Sequence, residues 1–221
     1  MLGSIHDLIC NLQQFILVQP AMEKRESNYE ITKHRMEEKF ASYDMADICR
    51  EWELELKDGA VKVTLLGTEY LIVTDSGAVM LEQDGVLKEA DFNVSMTLFD
   101  ILTRRRQYAS GKMVSVSALS AHTFSGSRFF SRASESFEHR CKELSDACVK
   151  LGGVPYGKGD VSYLLPVFRD LKVAVSFWDS DDEFGPELSF LCDGNILAYM
   201  HFETVMFLLS HIAERLRELM P

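Results

Sequence analysis

Cysteine is sparse in this 221-residue sequence and poorly placed for covalent or metal chemistry. The five are Cys10, Cys49, Cys141, Cys148 and Cys192; the number is odd and no two stand at C-x-x-C spacing. That argues against a disulfide framework and a zinc ribbon. On one helix, Cys141 and Cys148 would lie about 10 Å apart by rise, too far to bridge. Reduced, mostly buried thiols in a cytoplasmic protein are the expectation. Long apolar runs are missing as well: no stretch of 18 apolar residues occurs, so no spanning helix is predicted. Positive charge is in deficit, with 23 Lys and Arg against 34 Asp and Glu and a formal net charge of −11. Such a surface repels phosphate backbones and anionic membranes, which disfavours general nucleic-acid or membrane binding.

Catalytic and metal motifs are also lacking. The six histidines, His6, His34, His122, His139, His201 and His211, include no H-E-x-x-H pair, so no metal is assigned from them. No G-x-S-x-G, Walker loop or G-x-G-x-x-G occurs, and no serine or cysteine nucleophile or cofactor can be named.

What is present is enough apolar material for a real core: 47% hydrophobic and 10% aromatic residues. Helical spacing runs from Asn28 to about Asp58 through Tyr29, Met36, Phe40, Tyr43, Ile48, Trp52 and Leu56, with a hinge predicted near Ser42–Asp44. Gly59 is read as the glycine that ends the second helix. The runs 61–67, 68–75 and 78–82, broken by Gly67, Ser76-Gly77 and Asp84-Gly85, predict an antiparallel meander. A helix is expected over 94–106, capped by Asn93, with Arg104 to Arg106 in a last turn where cations suit the dipole. One long helix is predicted over 127–151, stopped by Gly152-Gly153; strands follow over 161–168, 171–178 and 187–193, then a helix over roughly 202–220. The fold class predicted is α+β: a mainly antiparallel sheet drawn from both strand-rich regions, 61–82 and 161–192, with amphipathic helices packed on it as a single domain over 22–221. Residues 1–21 read as an N-terminal extension without the basic n-region of a signal peptide, and Met22 offers a natural start.

Two constellations invite a functional reading. Ser125-Gly126-Ser127-Arg128 with Arg132 joins a natural N-cap (Ser127), a glycine permitting close approach, and two arginines one turn apart. A helix start of this kind suits an anion. The competing reading is a capped helix whose Arg132 pairs with Glu135. The other constellation places Asp179, Asp181, Asp182 and Glu183 at the mouth of the most apolar strand. Adjacent carboxylates repel by roughly 4 kcal/mol at ~4 Å and an effective dielectric of 20, so a buried cluster would need a cation or a shared proton. An EF-hand is excluded by Phe184 where glycine is required. A solvated turn is therefore preferred, with Glu183, beside Phe184, as the one carboxylate expected to turn inward.

Taken together, the segments NYEIT, TEYLIVT, TFSGSRFFSRA, GKGDVSYLLPVF, FWDSDDEFGPELSFLCD and YMHFET resemble the domain-of-unknown-function 3786 family, found mainly in anaerobic bacteria and archaea. The resemblance covers about Asn28 to Leu216; SGSRFF and DDEF are its most specific parts. Many members have proline directly after D-E-F, where Gly185 intervenes here before Pro186. Some relatives carry a cysteine-rich iron–sulfur segment, which this chain lacks. The resemblance implies a common fold and a cytoplasmic protein of an anaerobe, and supplies no reaction.

The leading reading is a cytoplasmic protein that binds a small anionic ligand or cofactor through Ser125, Gly126, Ser127, Arg128 and Arg132, with the acidic turn as a further wall. The alternatives are an enzyme using Asp181, Asp182 and Glu183 for acid–base or metal-assisted chemistry, and a structural or interaction protein docking through an apolar face.

Overall fold

A computed structural model of the chain describes residues 27–120 and 130–221. The extension over 1–21 and the segment Ser125, Gly126, Ser127 and Arg128 lie outside the described residues. The class is α+β, with eight helices and two antiparallel five-stranded sheets among the described residues. The two strand-rich regions thus form separate sheets. Chain contacts divide the molecule into two compact units, one ending at Val63 and resuming over Glu69–Ser95, the other comprising Thr64–Thr68 and Met96–Pro221.

The first unit opens with α1 (Asn28–Ala41), whose start is fixed by a capping box between Ser27 and Glu30. Asp44 then caps α2 (Met45–Trp52) by accepting the Ala46 and Asp47 N–H groups, so the predicted hinge is found in place. The second helix ends earlier than its periodicity suggests: Glu53 takes the left-handed conformation, and β1 (Glu55–Lys57) follows. Gly59 is accordingly a hairpin residue and not a helix terminator. Asp58 and Gly59 both have positive φ, 52° and 76°, as a two-residue hairpin with matching twist requires. Strands β2 (Ala60–Leu65), β3 (Thr68–Val73), β4 (Val79–Gln83) and β5 (Val86–Glu89) continue the meander in chain order. Lys33 of α1 reaches Glu89 of β5 at 2.9 Å and Glu37 at 3.5 Å. A Cβ on Gly77 would stand 2.1 Å from the Glu37 carbonyl oxygen, so the β3–β4 turn touches the α1 backbone where only glycine fits.

Helix α3 (Phe92–Leu102) starts two residues before the predicted one, and Asp91, not Asn93, accepts the Val94 N–H. It also ends sooner, leaving Arg104 to Arg106 beyond its last turn; Arg104 pairs with Asp100 at 3.0 Å.

In the second unit β6 (Met113–Ser115) leads into the short α4 (Val116–Leu119). The helix predicted over 127–151 is two helices among the described residues, α5 (Ser131–Phe137) and α6 (Cys141–Lys150). His139 between them has φ 59°, which no helix accommodates. Gly152 and Gly153 do end α6: Gly152 has φ 75° and the Gly153 N–H returns to the Cys148 carbonyl. Strands β7 (Val154–Pro155), β8 (Val161–Phe168), β9 (Leu171–Trp178) and β10 (Glu187–Asp193) give the order β6-β10-β9-β8-β7. Along β9 all six residues from Val173 to Phe177 and Leu171 are buried, so the central strand is covered on both faces. The short α7 (Ile196–Tyr199) and the long α8 (Phe202–Leu219) close the chain.

Hydrogen bonds tie these elements together. Ser134 of α5 donates to the Phe130 carbonyl and accepts the Leu188 N–H of β10. Ser145 of α6 and Tyr163 of β8 share a 2.6 Å bond. Asp193 accepts from the Ser110, Gly111 and Asn195 N–H groups and from the Ser110 hydroxyl, while Asp170 takes the Tyr199 hydroxyl and the Ala109 N–H. No helix among the described residues is long and apolar enough to cross a membrane.

Candidate functional site

Where α5 meets α8, the side chains facing each other are short: Ala133 and Ser136 on one helix, Ser210 and Ala213 on the other. Short side chains at a helix contact leave space, here a groove of about 520 Å3. Small-molecule sites commonly measure about 300–1,000 Å3. Phe130 lines the same groove; its ring is buried and packs edge-on against Phe190 at 4.8 Å. Arg132 from α5 and Arg217 from α8 line it too, both exposed, together with Glu214.

The two arginines differ from their neighbours. Arg215 pairs with Glu218 at 2.6 Å, Arg140 donates to the Pro221 carbonyl, and Arg104 pairs with Asp100. Among the described residues, neither Arg132 nor Arg217 makes a side-chain hydrogen bond or ion pair, and the predicted alternative of Arg132 with Glu135 is not formed. Arg132 therefore lies on a groove wall, and α8 supplies a second arginine that reading the sequence missed. Nothing in the spacing of Arg217 links it to Arg132; only the pairing of the helices does. The helix that bears Arg132 begins at Ser131 with Phe130 in the capping position and no side-chain cap bond. With seven residues it supplies little dipole, so the guanidinium groups and not a helix start are the positive features of this groove.

The acidic turn has a different structure from the one expected. Glu183 is exposed and does not turn inward. Asp181 Oδ1 instead accepts the Glu183 and Phe184 N–H groups, each at 2.8 Å, and the Asp181 N–H donates to the Phe184 carbonyl. These bonds hold the Asp181 carboxyl below the usual carboxylate range. Asp182 is exposed. The turn thus uses one carboxylate to fold itself and leaves two in water.

Asp179 is the structural member of the set. Its Oδ1 accepts the His139 and Ser180 N–H groups at 2.9 Å, and Cys141 Sγ lies 3.6 Å from Oδ2. Burial alone would raise its pKa; the hydrogen bonds from His139, Ser180 and Cys141 outweigh that and lower it. The reciprocal effect falls on the thiol. Burial, then the Asp179 charge and its hydrogen bond, push Cys141 up to about 11. Cysteine, histidine and aspartate are therefore neighbours in an arrangement where burial first, and then the carboxylate, favours the protonated thiol. Cys148 and Cys192 are fully buried and pushed up to about 12.

A family model described as Domain of unknown function (DUF3786) matches residues 44–215, most of the chain. The chain belongs to the DUF3786 family. The match takes in both sheets, α5 and most of α8, and stops two residues short of Arg217; α1 precedes it. No curated protein and no solved structure matches the chain. For this DUF3786 member the groove must be interpreted from its own chemistry.

Proposed function

We propose that the protein binds a small anionic ligand in the groove between α5 and α8. The observation that carries this reading is the pair of arginines, Arg132 and Arg217, which line one groove from different helices without carboxylate partners among the described residues. Guanidinium groups are planar forks matched to carboxylates and phosphates, and two of them around one hollow repel until an anion lies between them. Ser136 and Ser210 add hydroxyls, and Phe130 with Ala133 and Ala213 adds apolar surface for the body of the ligand. The reading also places the protein in the cytoplasm, where its free cysteines Cys49, Cys141, Cys148 and Cys192 stay reduced.

The test is equilibrium binding of inorganic phosphate and of benzoate to the full chain and to the Arg132→Ala, Arg217→Ala double variant. Binding that weakens at least tenfold in the variant, at unchanged fold by circular dichroism, supports the proposal. Equal binding by both proteins, or none by either, rejects it.

A further inference from the structure

We infer that His139, Cys141 and Asp179 form a binding site for a thiophilic divalent cation of the zinc type, at the break between α5 and α6. None of these residues lines the arginine groove, so the site stands independently of the anion reading. The two oxygens of the Asp179 carboxylate are unequally occupied. Oδ1 accepts the His139 and Ser180 N–H groups, each at 2.9 Å. Among the described residues, Oδ2 has only the Cys141 thiol, 3.6 Å away. A thiol is a weak donor, so this oxygen keeps most of its capacity for a cation. The His139 imidazole approaches the same carboxylate, with Nδ1 3.6 Å from Oδ1. Thiolate sulfur, imidazole nitrogen and carboxylate oxygen together make a zinc-type donor set.

The spacings and the backbone agree with that chemistry. Zinc bonds of about 2.3 Å to sulfur and about 2.0–2.2 Å to nitrogen and oxygen set tetrahedral neighbours about 3.3–3.6 Å apart. Cys141 Sγ and Asp179 Oδ2 already stand at that separation. The imidazole stands at the other oxygen, and its side chain is 75% exposed, free to swing across the carboxylate toward Sγ. On one continuous helix, residues two apart do not share a face. The left-handed backbone at His139 breaks the helix and lets both side chains reach one carboxylate. Asp160 adds negative charge: its Oδ2 accepts the Asp179 N–H at 2.8 Å, and its charge reaches Cys141. Three protein ligands leave a coordination position for water. On binding, the Cys141 S–H bond breaks, its proton leaves to solvent, and the sulfur lone pair takes the metal.

Metal titration of the full chain tests the site. Zinc, cobalt(II) and magnesium would be added to a Cys10→Ser background, which removes the thiol outside the described residues. The same titrations would be run on Cys141→Ser, His139→Gln and Asp179→Asn in that background. Asp179→Asn keeps an acceptor for the His139 and Ser180 N–H groups, so its fold should persist by circular dichroism. Calorimetry in two buffers reads affinity and proton release, and cobalt absorbance reads sulfur ligation through its charge-transfer band. The expected result is about one zinc ion per chain, a sulfur-to-cobalt band and no magnesium binding. About one proton should be released at pH 8, because the free thiol is pushed up to about 11. Each of the three variants should bind zinc at least about tenfold more weakly. Absence of zinc binding, full binding by Cys141→Ser, or magnesium binding as tight as zinc overturns the inference. Loss confined to Cys141→Ser, with the His139 and Asp179 variants binding as the parent does, overturns it too, since a single thiol is then the whole ligand.

Discussion

Asp179 at the end of β9 accepts the main-chain N–H of His139, forty residues earlier in the chain, at 2.9 Å. This one bond explains why a continuous apolar stripe does not make a continuous helix. His139 must adopt a left-handed backbone to present its N–H, and the helix breaks there into α5 and α6. On one side of the break lies α5, the helix that brings Arg132 to the groove.

Removing this carboxylate should be felt at the break. Asp179→Ala is expected to lower stability by about 1–2 kcal/mol, since it strands the His139 and Ser180 N–H groups. Asp179→Asn, which retains an acceptor oxygen, should cost less. Urea denaturation of the three proteins checks the order, and a neutral Asp179→Ala would mean the break forms without it.

Cys141 should be a slow thiol in the native protein. Its pKa of about 11 leaves little thiolate at pH 8. Asp179→Asn removes the charge while burial, the largest cause, remains, so the pKa should fall part of the way toward 9. Iodoacetamide labelling followed by peptide mass spectrometry should show faster modification of Cys141 in the variant at pH 8. An unchanged rate would remove the charge of Asp179 as a factor.

Within the acidic turn the order of sensitivity is set by hydrogen bonds. Asp181→Ala should lower the melting temperature more than Glu183→Gln, because Asp181 organises the turn while Glu183 projects into water. Differential scanning calorimetry at pH 7 distinguishes them; a larger effect of Glu183→Gln would contradict this description of the turn.

Asp193 is buried, and its carboxyl titrates low: burial raises it, but the Ser110, Asn195 and Gly111 N–H groups and the Ser110 hydroxyl lower it further. A carboxyl with a depressed folded pKa adds stability that is full above the unfolded value, about 3.9, and is lost as pH falls through the folded value. Asp193→Ala should therefore cost about 2–4 kcal/mol at pH 7, where it strands several donors. The difference from the parent should narrow below pH 4. Denaturant titrations at pH 7, 4 and 3 measure both; a gap that widens in acid would reverse the assigned shift.

Gly77→Ala should destabilise the first unit by about 2–4 kcal/mol, combining a left-handed backbone at φ 76° with a Cβ only 2.1 Å from the Glu37 carbonyl oxygen. Thermal unfolding checks it. Gly85→Ala has a similar φ of 75° but open space around its Cβ, and should cost less.

Much of the architecture is readable from local patterns. The hinge at Asp44 is a capping residue between two amphipathic runs, and Gly152-Gly153 is a helix stop; each is a signal confined to a few neighbouring residues. The errors share a cause. Gly59 was equally consistent with a helix end and a hairpin, and only the pairing of Lys57 with Ala60 decides between them. Asn93 and Asp91 are both good caps, and the structure uses the second. Of the candidate site, Arg132 could be named from its place after SGSR, whereas Arg217 looked like one more charge on an amphipathic helix.

The sequence by itself determined the α+β class and the antiparallel hairpins, because these follow from periodicity and turn chemistry, and its motifs carried the family resemblance. Tertiary structure decided the separation into two sheets, the break at His139 and the placing of Arg132 and Arg217 on one groove. Each of these depends on groups far apart in the chain, which interact only once folding has brought them together.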